Sequence, residues 1–263
     1  MAPLRWGLIG TGNISNDFAV SLHSLPRDEH EMVCVSAGNA EKAEAFAKTF
    51  SIPKFYGKYE DVVSDPNVDI VYVGTVNSSH YQLSKLALEN NKHVLCEKPL
   101  TLLLKHTEEL IALAKQKGKF FLEGVWSRFF PSYRRLREEI AAGTIGDIKF
   151  ISASFGLNNW IVDLFAKKDR GGGSMMDIGI YPIQFAVAVY GSEIPKTVKA
   201  CGILSPGGVD MCESIILQYE DGRMAQLMSS FINDPPNDAH DFWEQRKYKA
   251  SKSHVVSVRD CHQ

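Results

Sequence analysis

The residues with the clearest chemical potential lie in a glycine-containing loop near the N-terminus. Gly10, Gly12 and Ser15 form a G-x-G-x-x-S pattern that follows an apolar run and opens a helical segment. The first glycine permits a tight turn, the second lets the backbone approach a pyrophosphate, and the helix N-terminus offers free N–H groups. The pattern predicts a dinucleotide site that includes Asn13 and Ile14, and a plain glycine turn is the alternative.

The end of the second predicted strand decides which dinucleotide fits. NAD-binding folds usually carry Asp or Glu there for the ribose 2′-hydroxyl. Here Ser36 and Asn39 can donate hydrogen bonds and Lys42 adds a positive charge, while residues 36–39 include no carboxylate that would repel a 2′-phosphate. NADP is therefore favoured over NAD. Helix capping is the alternative role for these residues.

Two more strand ends carry polar residues. The first reads T-x-N-x-x-H, with Thr75, Asn77 and His80, and the second reads Glu97-Lys98-Pro99. Ligands of doubly wound sheets bind beyond the carboxyl ends of the strands, so both segments are expected on the same side of the sheet as the glycine loop. Taken alone, His80 is better explained as a residue that caps the first turn of its own helix.

The elements that must position these residues alternate between strand and helix signals. Apolar, β-branched runs separated by helical periodicity predict a parallel, doubly wound sheet covered on both faces. The predicted strands are residues 4–9, 31–37, 68–73, 93–96 and 120–122, and the predicted helices are 13–25, 40–50, 81–89 and 102–117.

The second half of the chain has a different organisation. Its predicted elements are a helix at 131–142, a strand at 147–155, a helical run at 174–190 and strands at 214–219 and 224–231. Asp221-Gly222 is a strong hairpin signal, and it predicts a mostly antiparallel sheet. We therefore expect a nucleotide-binding domain (1–122), a partial α/β domain (123–240) and a divergent tail (241–263) without assignable periodicity.

Composition and charge exclude several classes of protein. The chain has 263 residues, and its 29 basic residues nearly balance its 31 acidic residues. The formal net charge of -2 provides no field that attracts nucleic acid or an anionic membrane. The five cysteines are scattered and never in C-x-x-C spacing, so neither a disulfide framework nor a metal site is expected. With no signal peptide or membrane-spanning run in the sequence, a cytoplasmic location is expected.

The ordered set of motifs resembles the glucose-fructose oxidoreductase / inositol dehydrogenase family. The similarity tightens at 126–131 (W-S-R-F-F-P), 143–147 (G-T-I-G-D) and 172–181 (G-G-S-M-M-D-I-G-I-Y), and it runs from residue 4 to about residue 240. These segments look like family members that oxidise trans-dihydrodiols of aromatic hydrocarbons to catechols with NADP.

The resemblance implies an N-terminal Rossmann domain and a C-terminal α/β domain whose open sheet supports a homodimer. It also implies that several strand-end residues contribute to coenzyme binding and that Lys98 faces the nicotinamide and the substrate. The implied coenzyme residues are Tyr72, Thr75, Asn77, His80 and Glu97.

Removal of a hydride from a carbinol carbon requires a base for the hydroxyl proton. Asp177 and Tyr181 are four residues apart, so they share one face of a helix, and Pro182 should kink or restart that helix. A free tyrosine, with a pKa of about 10, needs a neighbouring ammonium to act at neutral pH. The hypothesis is that Tyr181 is the base, that Lys98 lowers its pKa and binds the substrate hydroxyl, and that Asp177 orients them. A core aromatic is the alternative for Tyr181.

The substrate side is expected to be apolar. Trp126 and Phe155 match apolar substrate-side positions of the family, with core packing as the alternative. Arg128 either contacts substrate or holds a structural carboxylate, and the structural role is favoured. An aromatic lining suits a flat cyclohexadiene diol. Two other functions stay open: an aldose dehydrogenase of the same fold acting on D-xylose, and a truncated, inactive NADP-binding protein.

The tail departs from the family pattern after His240. When Phe242–Lys249 is back-translated and read one base later, its codons permit a segment close to the strand and turn of the family. This leads to the hypothesis of a one-base frameshift, which the transcript across codons 239–245 would test. A sheet that lacks its later strands is expected to expose an unpaired edge and an apolar face.

Overall fold

A computed structural model describes residues 2–158, 166–243 and 254–257 of the chain. Backbone contacts divide it into two units, Met1–Gly124 and Val125–Gln263. Each unit is built around its own six-stranded sheet. Among the described residues, no helix has the length and apolarity needed to cross a bilayer.

The first unit is a parallel, doubly wound sheet, as predicted. Its strand order is β3-β2-β1-β4-β5-β6, and every neighbouring pair is parallel. The strands are β1 (Leu4–Ile9), β2 (His30–Ser36), β3 (Lys54–Tyr56), β4 (Ile70–Val73), β5 (His93–Glu97) and β6 (Phe121–Gly124). The helices are α1 (Asn13–His23), α2 (Ala40–Phe50), α3 (Tyr59–Ser64), α4 (His80–Glu89) and α5 (Leu104–Lys117).

Burial on both faces explains the near-continuous apolar strands of this sheet. One buried cluster contains Ile9, Val71 and Val94. A second cluster contains Leu8 and Phe46 and involves a different set of helices. Strand β1 contributes to both clusters because its successive side chains point to opposite faces. The sheet is thereby held rigidly between two helical layers, and its carboxyl edge is left to the loops.

Strand β3 and helix α3 were not among the predicted elements. Strand β3 is short and largely exposed, and it is fastened by the buried Asp65, which follows α3. The Asp65 carboxylate accepts hydrogen bonds from Lys54 Nζ at 2.8 Å, Tyr56 Oη at 3.0 Å and the Asn67 backbone N–H at 2.8 Å. Burial alone would raise the pKa of Asp65, but these donors lower it to about 2.

The second unit combines a mostly antiparallel sheet with helices. The sheet order is β12-β11-β7-β10-β9-β8, and only the β10–β7 pair is parallel among the described strands. The helices are α6 (Pro131–Ala141) and α7 (Ile180–Tyr190). The strands are β7 (Ile148–Gly156), β8 (Thr197–Leu204), β9 (Asp210–Gln218), β10 (Met224–Ser230), β11 (Asp238–Trp243) and β12 (His254–Ser257). The antiparallel β9–β10 pair confirms the hairpin predicted at Asp221-Gly222, where Gly222 has φ 85°.

One expectation for this unit was wrong. The tail is not irregular throughout, because β11 continues to Trp243 and pairs with β12. The helical run 174–190 is interrupted near Pro182, as predicted, and the interruption is a π-helical turn at Met175–Gly179 before α7. Pro182 has no N–H to give to the carbonyl four residues earlier, so the preceding turn adopts a wider hydrogen-bond pattern.

Candidate active site

The glycine loop connects β1 to α1 in tight contact with the end of β4. The Gly10 backbone N–H donates to the Ser36 carbonyl at 2.8 Å. Gly10 has φ 107°, and a Cβ there would lie 2.3 Å from the Gly74 carbonyl oxygen. A Cβ on Gly12 would instead meet nothing within 4 Å. The loop therefore needs glycine at Gly10 for its own geometry, whereas at Gly12 it leaves open space in front of the helix N-terminus.

The third motif position is a serine, Ser15. The glycine that allows α1 to pack closely against the sheet is Gly74, at the end of the neighbouring strand. Ser15 is fully buried, and its hydroxyl donates to the Gly74 carbonyl at 3.2 Å. A Cβ on Gly74 would lie 2.4 Å from Ser15 Oγ and 2.6 Å from the Tyr72 ring. The hydrogen bond and the glycine together keep α1 close to the sheet.

The carboxyl edge of the sheet also carries polar atoms that nothing in the described chain satisfies. Ser36 Oγ and Thr75 Oγ1 are buried without a hydrogen-bond partner. Such atoms are rare in folded proteins, because an unsatisfied buried polar group costs about 1–3 kcal/mol. Together with the uncapped α1 N-terminus, they fit the polar ribose and phosphate groups of a dinucleotide. Asn13 and Ile14, in the first turn of α1, are exposed.

Asn39 is the N-cap of α2, the role given as the alternative in the sequence analysis. Its Oδ1 accepts hydrogen bonds from the backbone N–H groups of Glu41 and Lys42, at 2.8 and 3.2 Å. The cap fixes the turn after β2, at the position where a ribose 2′ substituent binds in such folds. Lys42 stands in the first turn of that helix and is exposed.

Tyr72 and His80 are buried supports beneath this edge rather than parts of its surface. The Tyr72 ring stacks on Phe18 at 3.9 Å, and its hydroxyl donates to Glu97 Oε1 at 2.9 Å. Burial, followed by the charge of Glu97, raises the pKa of Tyr72. His80 is fully buried, and its ring nitrogens lie 2.8 Å from the Pro99 carbonyl and 3.1 Å from the Thr75 carbonyl.

These contacts give His80 a defined role within the first unit. Burial lowers the pKa of His80, and a neutral ring has one N–H, so it donates to the Pro99 carbonyl in one tautomer and to the Thr75 carbonyl in the other. The ring lies between the loop after β4 and the loop after β5. It therefore holds Thr75 and the Glu97-Lys98-Pro99 segment near one another, and Asn77 stands in the same β4 loop. Glu97, whose pKa is raised by burial, accepts from the Lys98 N–H at 3.3 Å.

In the second unit, Tyr181 lies among aromatic side chains. Its hydroxyl accepts a hydrogen bond from Trp126 Nε1 at 2.6 Å. The Tyr181 ring makes edge-to-face contacts with Trp126 at 6.0 Å and with Phe155 at 5.4 Å. Trp126 is 38% exposed, whereas Phe155 is buried. The structure thus brings the expected base together with both expected substrate-side aromatics.

Asp177 and Arg128 also belong to this second unit. Asp177 is buried in the π-helical turn that precedes Tyr181, so the α-helical spacing argument for a shared face does not apply to the pair. Arg128 Nη1 donates to Gln184 Oε1 on α7 at 3.4 Å, so this partner is an amide and not the expected carboxylate. Lys98 and Tyr181 belong to different units.

An acidic cluster beside the π-helical turn was not predicted from the sequence; Glu213 and Ser174 are buried and Asp210 is half-buried. It consists of Asp210 and Glu213 on β9 with Ser174 at the start of the turn. The available signal was the alternation along β9, which places Glu213 on the same face as the apolar Ile215 and Leu217. Among the described residues, no group of His, Cys, Asp and Glu has the arrangement of a metal site.

Two family models match the chain. One, described as an oxidoreductase family with an NAD-binding Rossmann fold, matches residues 4–125. The other, described as the GFO/IDH/MocA C-terminal domain, matches residues 133–246. A trans-1,2-dihydrobenzene-1,2-diol dehydrogenase of Xenopus tropicalis is 43% identical over 235 residues, which cover 89% of this chain and 71% of that protein. The Mus musculus enzyme of that name is 39% identical over 237 residues, with 90% and 71% covered.

Solved structures give the same architecture. GenD2 from gentamicin A biosynthesis, in complex with NAD, matches with a TM-score of 0.87 at 21% identity over 98% of this chain and 73% of that one. KijD10, a 3-ketoreductase from Actinomadura kijaniata in complex with NADP and TDP-benzene, matches with a TM-score of 0.80 at 24% identity, covering 97% and 85%. At these identities the likeness shows the fold.

Proposed function

The chain belongs to the GFO/IDH/MocA oxidoreductase family, and from this premise we propose that it oxidises trans-dihydrodiols of aromatic hydrocarbons to catechols, with NADP as the hydride acceptor. Relatives named for this activity are 38–44% identical over most of the chain, which supports the proposal. The observation that carries it is the hydroxyl of Tyr181, hydrogen-bonded to the Trp126 indole and set against the Phe155 ring.

NADP is the proposed cofactor because the turn after β2 offers donors and a positive charge. Asn39 and Lys42 stand where the 2′-phosphate would lie, and the buried hydroxyl of Ser36 is free to donate. The pyrophosphate would take the open space at Gly12 and the N–H groups of the first turn of α1. The bound nicotinamide supplies the acceptor for the hydride.

The proton chemistry falls to the chain's own side chains. Tyr181, as tyrosinate, takes the proton of the hydroxyl on the carbon that gives up the hydride. The Trp126 N–H, at 2.6 Å, stabilises that anion, and Asp177 and the π-helical turn orient the residue. We assign to Lys98 the binding of the substrate hydroxyl. The hydroxyketone that results tautomerises to the catechol without a further oxidant.

The aromatic setting of Tyr181 favours a flat, apolar ring over a sugar. Trp126 and Phe155 present ring edges and faces, which pack well against an unsaturated carbocycle. The test is NADPH formation, followed by absorbance, with trans-benzene dihydrodiol and with D-xylose in parallel. Faster turnover of the dihydrodiol supports the proposal, and faster turnover of D-xylose assigns the chain to aldose oxidation. Nucleotide binding without turnover of either marks an inactive NADP-binding protein.

We further propose a homodimer formed through the sheet of the second unit. Strand β8 is at one edge of that sheet, and its side chains, including Val198, Ile203 and Leu204, are exposed. Exposed apolar edge strands favour association, because they leave both unpaired backbone groups and apolar area in water. Sedimentation of wild type and Ile203→Lys tests this: a dimer that the substitution converts to monomer is expected, and a monomeric wild type contradicts it.

A further inference from the structure

The strongest unassigned feature of the molecule is the acidic cluster beneath the π-helical turn. Ser174 Oγ donates to Glu213 Oε2 and also lies 3.0 Å from Asp210 Oδ2, and the Met175 backbone N–H donates to the same Asp210 oxygen at 2.6 Å. A Cβ on Gly173 would meet Asp210 Oδ1 at 2.3 Å. The two carboxyl groups thus accept hydrogen bonds from the first residues of the turn that contains Asp177.

The two carboxyl groups need a proton of their own in addition to the hydroxyl hydrogen of Ser174. Ser174 has one hydroxyl hydrogen but two carboxyl oxygens within reach, Glu213 Oε2 and Asp210 Oδ2. Two carboxyl groups that converge on one hydroxyl group lie too close for both to ionise, so they share a proton. Glu213 Oε1 is buried and receives no N–H or O–H from the described residues, which an ionised oxygen would not tolerate.

The surroundings of Glu213 agree with a protonated carboxyl. Ser174, Met175 and Gly179 of the turn, Ser229 of β10 and Gly202 of β8 face it, and all are uncharged. Among the described residues, the charged group in contact with Glu213 is Asp210. Asp177 lies on the π-helical turn beside the cluster. Burial, and then Asp210, raises the pKa of Glu213 to about 8.

We propose that Glu213 is a positioning residue whose protonated carboxyl, bonded to Ser174 and Asp210, locks the π-helical turn and so places Asp177 and Tyr181 for the reaction. When the carboxyl releases its proton to solvent, two adjacent negative charges repel one another and the entrance at Ser174 and Met175 opens. The placement of Tyr181 as the base rests on the proposed function, whereas the opening of the turn does not.

The experiment compares Glu213→Gln with wild type, because glutamine keeps an acceptor for Ser174 and a donor for Asp210 but cannot ionise. Glu220→Gln removes an exposed carboxylate, paired with Lys196, from the adjoining β9–β10 turn and is the matched control. Amide hydrogen exchange of peptides spanning 174–181 is measured from pH 6 to pH 9.5 and corrected with an unfolded peptide of the same sequence.

Protection of this segment should fall roughly ten-fold in wild type and in E220Q between pH 7 and pH 9, since a group with a pKa of about 8 changes from mostly protonated to mostly ionised. E213Q should show no such fall. Equal pH dependence in E213Q and wild type, or none in wild type, overturns the proposal. The infrared carbonyl band of a protonated carboxylic acid, lost from wild type over the same range, gives a second readout that does not depend on folding of the variant.

Activity separates this proposal from the proposed function. With the dihydrodiol, wild-type kcat should fall about ten-fold relative to E213Q between pH 7 and pH 9, with little change in KM. If no chain turns over but exchange follows the expected pattern, the assigned reaction fails and the lock stands. If wild type turns over but exchange is independent of pH, the lock fails and the assigned reaction stands.

Discussion

Replacing Trp126 with phenylalanine isolates the hydrogen bond that the site places on Tyr181. The substitution removes the indole N–H, which lies 2.6 Å from the tyrosine hydroxyl, and keeps an aromatic ring for the edge-to-face contacts with Tyr181 and Phe130. If Tyr181 takes the proton as tyrosinate, this N–H favours the anion over the neutral phenol. The variant should therefore be less active at neutral pH.

The size of the effect follows from the kind of hydrogen bond that is lost. A hydrogen bond to a charged group contributes about 1.5–3 kcal/mol, and each ~1.4 kcal/mol corresponds to a factor of ten. Trp126 is 38% exposed, so solvent screening favours the lower end of this range. We expect kcat/KM for the dihydrodiol to fall about ten-fold at pH 7. The deficit should shrink as the pH rises, because a higher pH ionises the phenol without help from the indole.

The assay is the pH dependence of kcat/KM for wild type, Trp126→Phe and Phe155→Leu. The Phe155 ring contacts the Tyr181 ring at 5.4 Å without a hydrogen bond, so its replacement perturbs packing alone. The deficit of Phe155→Leu should be the same at every pH. A Trp126→Phe variant with full activity at pH 7, or with a deficit that does not change with pH, refutes this use of the hydrogen bond.

Further substitutions at four positions test the first unit. Gly12→Ala should weaken NADP binding at unchanged thermal stability, because its Cβ meets only open space, whereas Gly10→Ala should also destabilise the unit through its φ of 107° and its contact with Gly74; equal melting temperatures would contradict this. Asn39→Asp should keep the α2 cap but raise the Kd for NADP at least ten-fold, while Asn39→Ser should not, as titration calorimetry would show. Asp65→Asn should cost about 2 kcal/mol in urea unfolding at pH 7, with the exposed Asp61→Asn as control. Because the pKa of Asp65 is lowered to about 2, its contribution is present above about pH 4 and is lost as the pH falls towards 2, so the difference from wild type should vanish there.

Strong, long patterns in the sequence were sufficient to predict the sheet of the first unit. Strand β1 and helix α2 have the predicted bounds, because an apolar run or an amphipathic repeat with clear ends defines them locally. Strand β3 and helix α3 were missed for the opposite reason. Their place in the fold depends on the hydrogen bonds from Lys54 and Tyr56 to Asp65, which no local sequence pattern indicates.

The candidate site shows the same division between local and tertiary information. The motif predicted the loop at Gly10, and the family resemblance supplied the aromatics expected around Tyr181. Neither indicated which side chains support the loop from below. Tyr72 and His80 are buried supports because their polar groups bond to neighbouring strand ends. The π-helical turn and the role of Glu213 depend on β9 packing against that turn, which spacing along the chain does not report.

The measurement that tests the central claim most directly is NADPH formation from NADP and trans-benzene dihydrodiol by wild type and Tyr181→Phe. The account predicts turnover by wild type and a loss of about 10²–10⁴-fold in kcat for the variant, the usual contribution of a general base. The Kd for NADP should stay the same, because the residues proposed to hold the nucleotide belong to the first unit and Tyr181 to the second. A Tyr181→Phe variant that keeps full turnover would contradict the account.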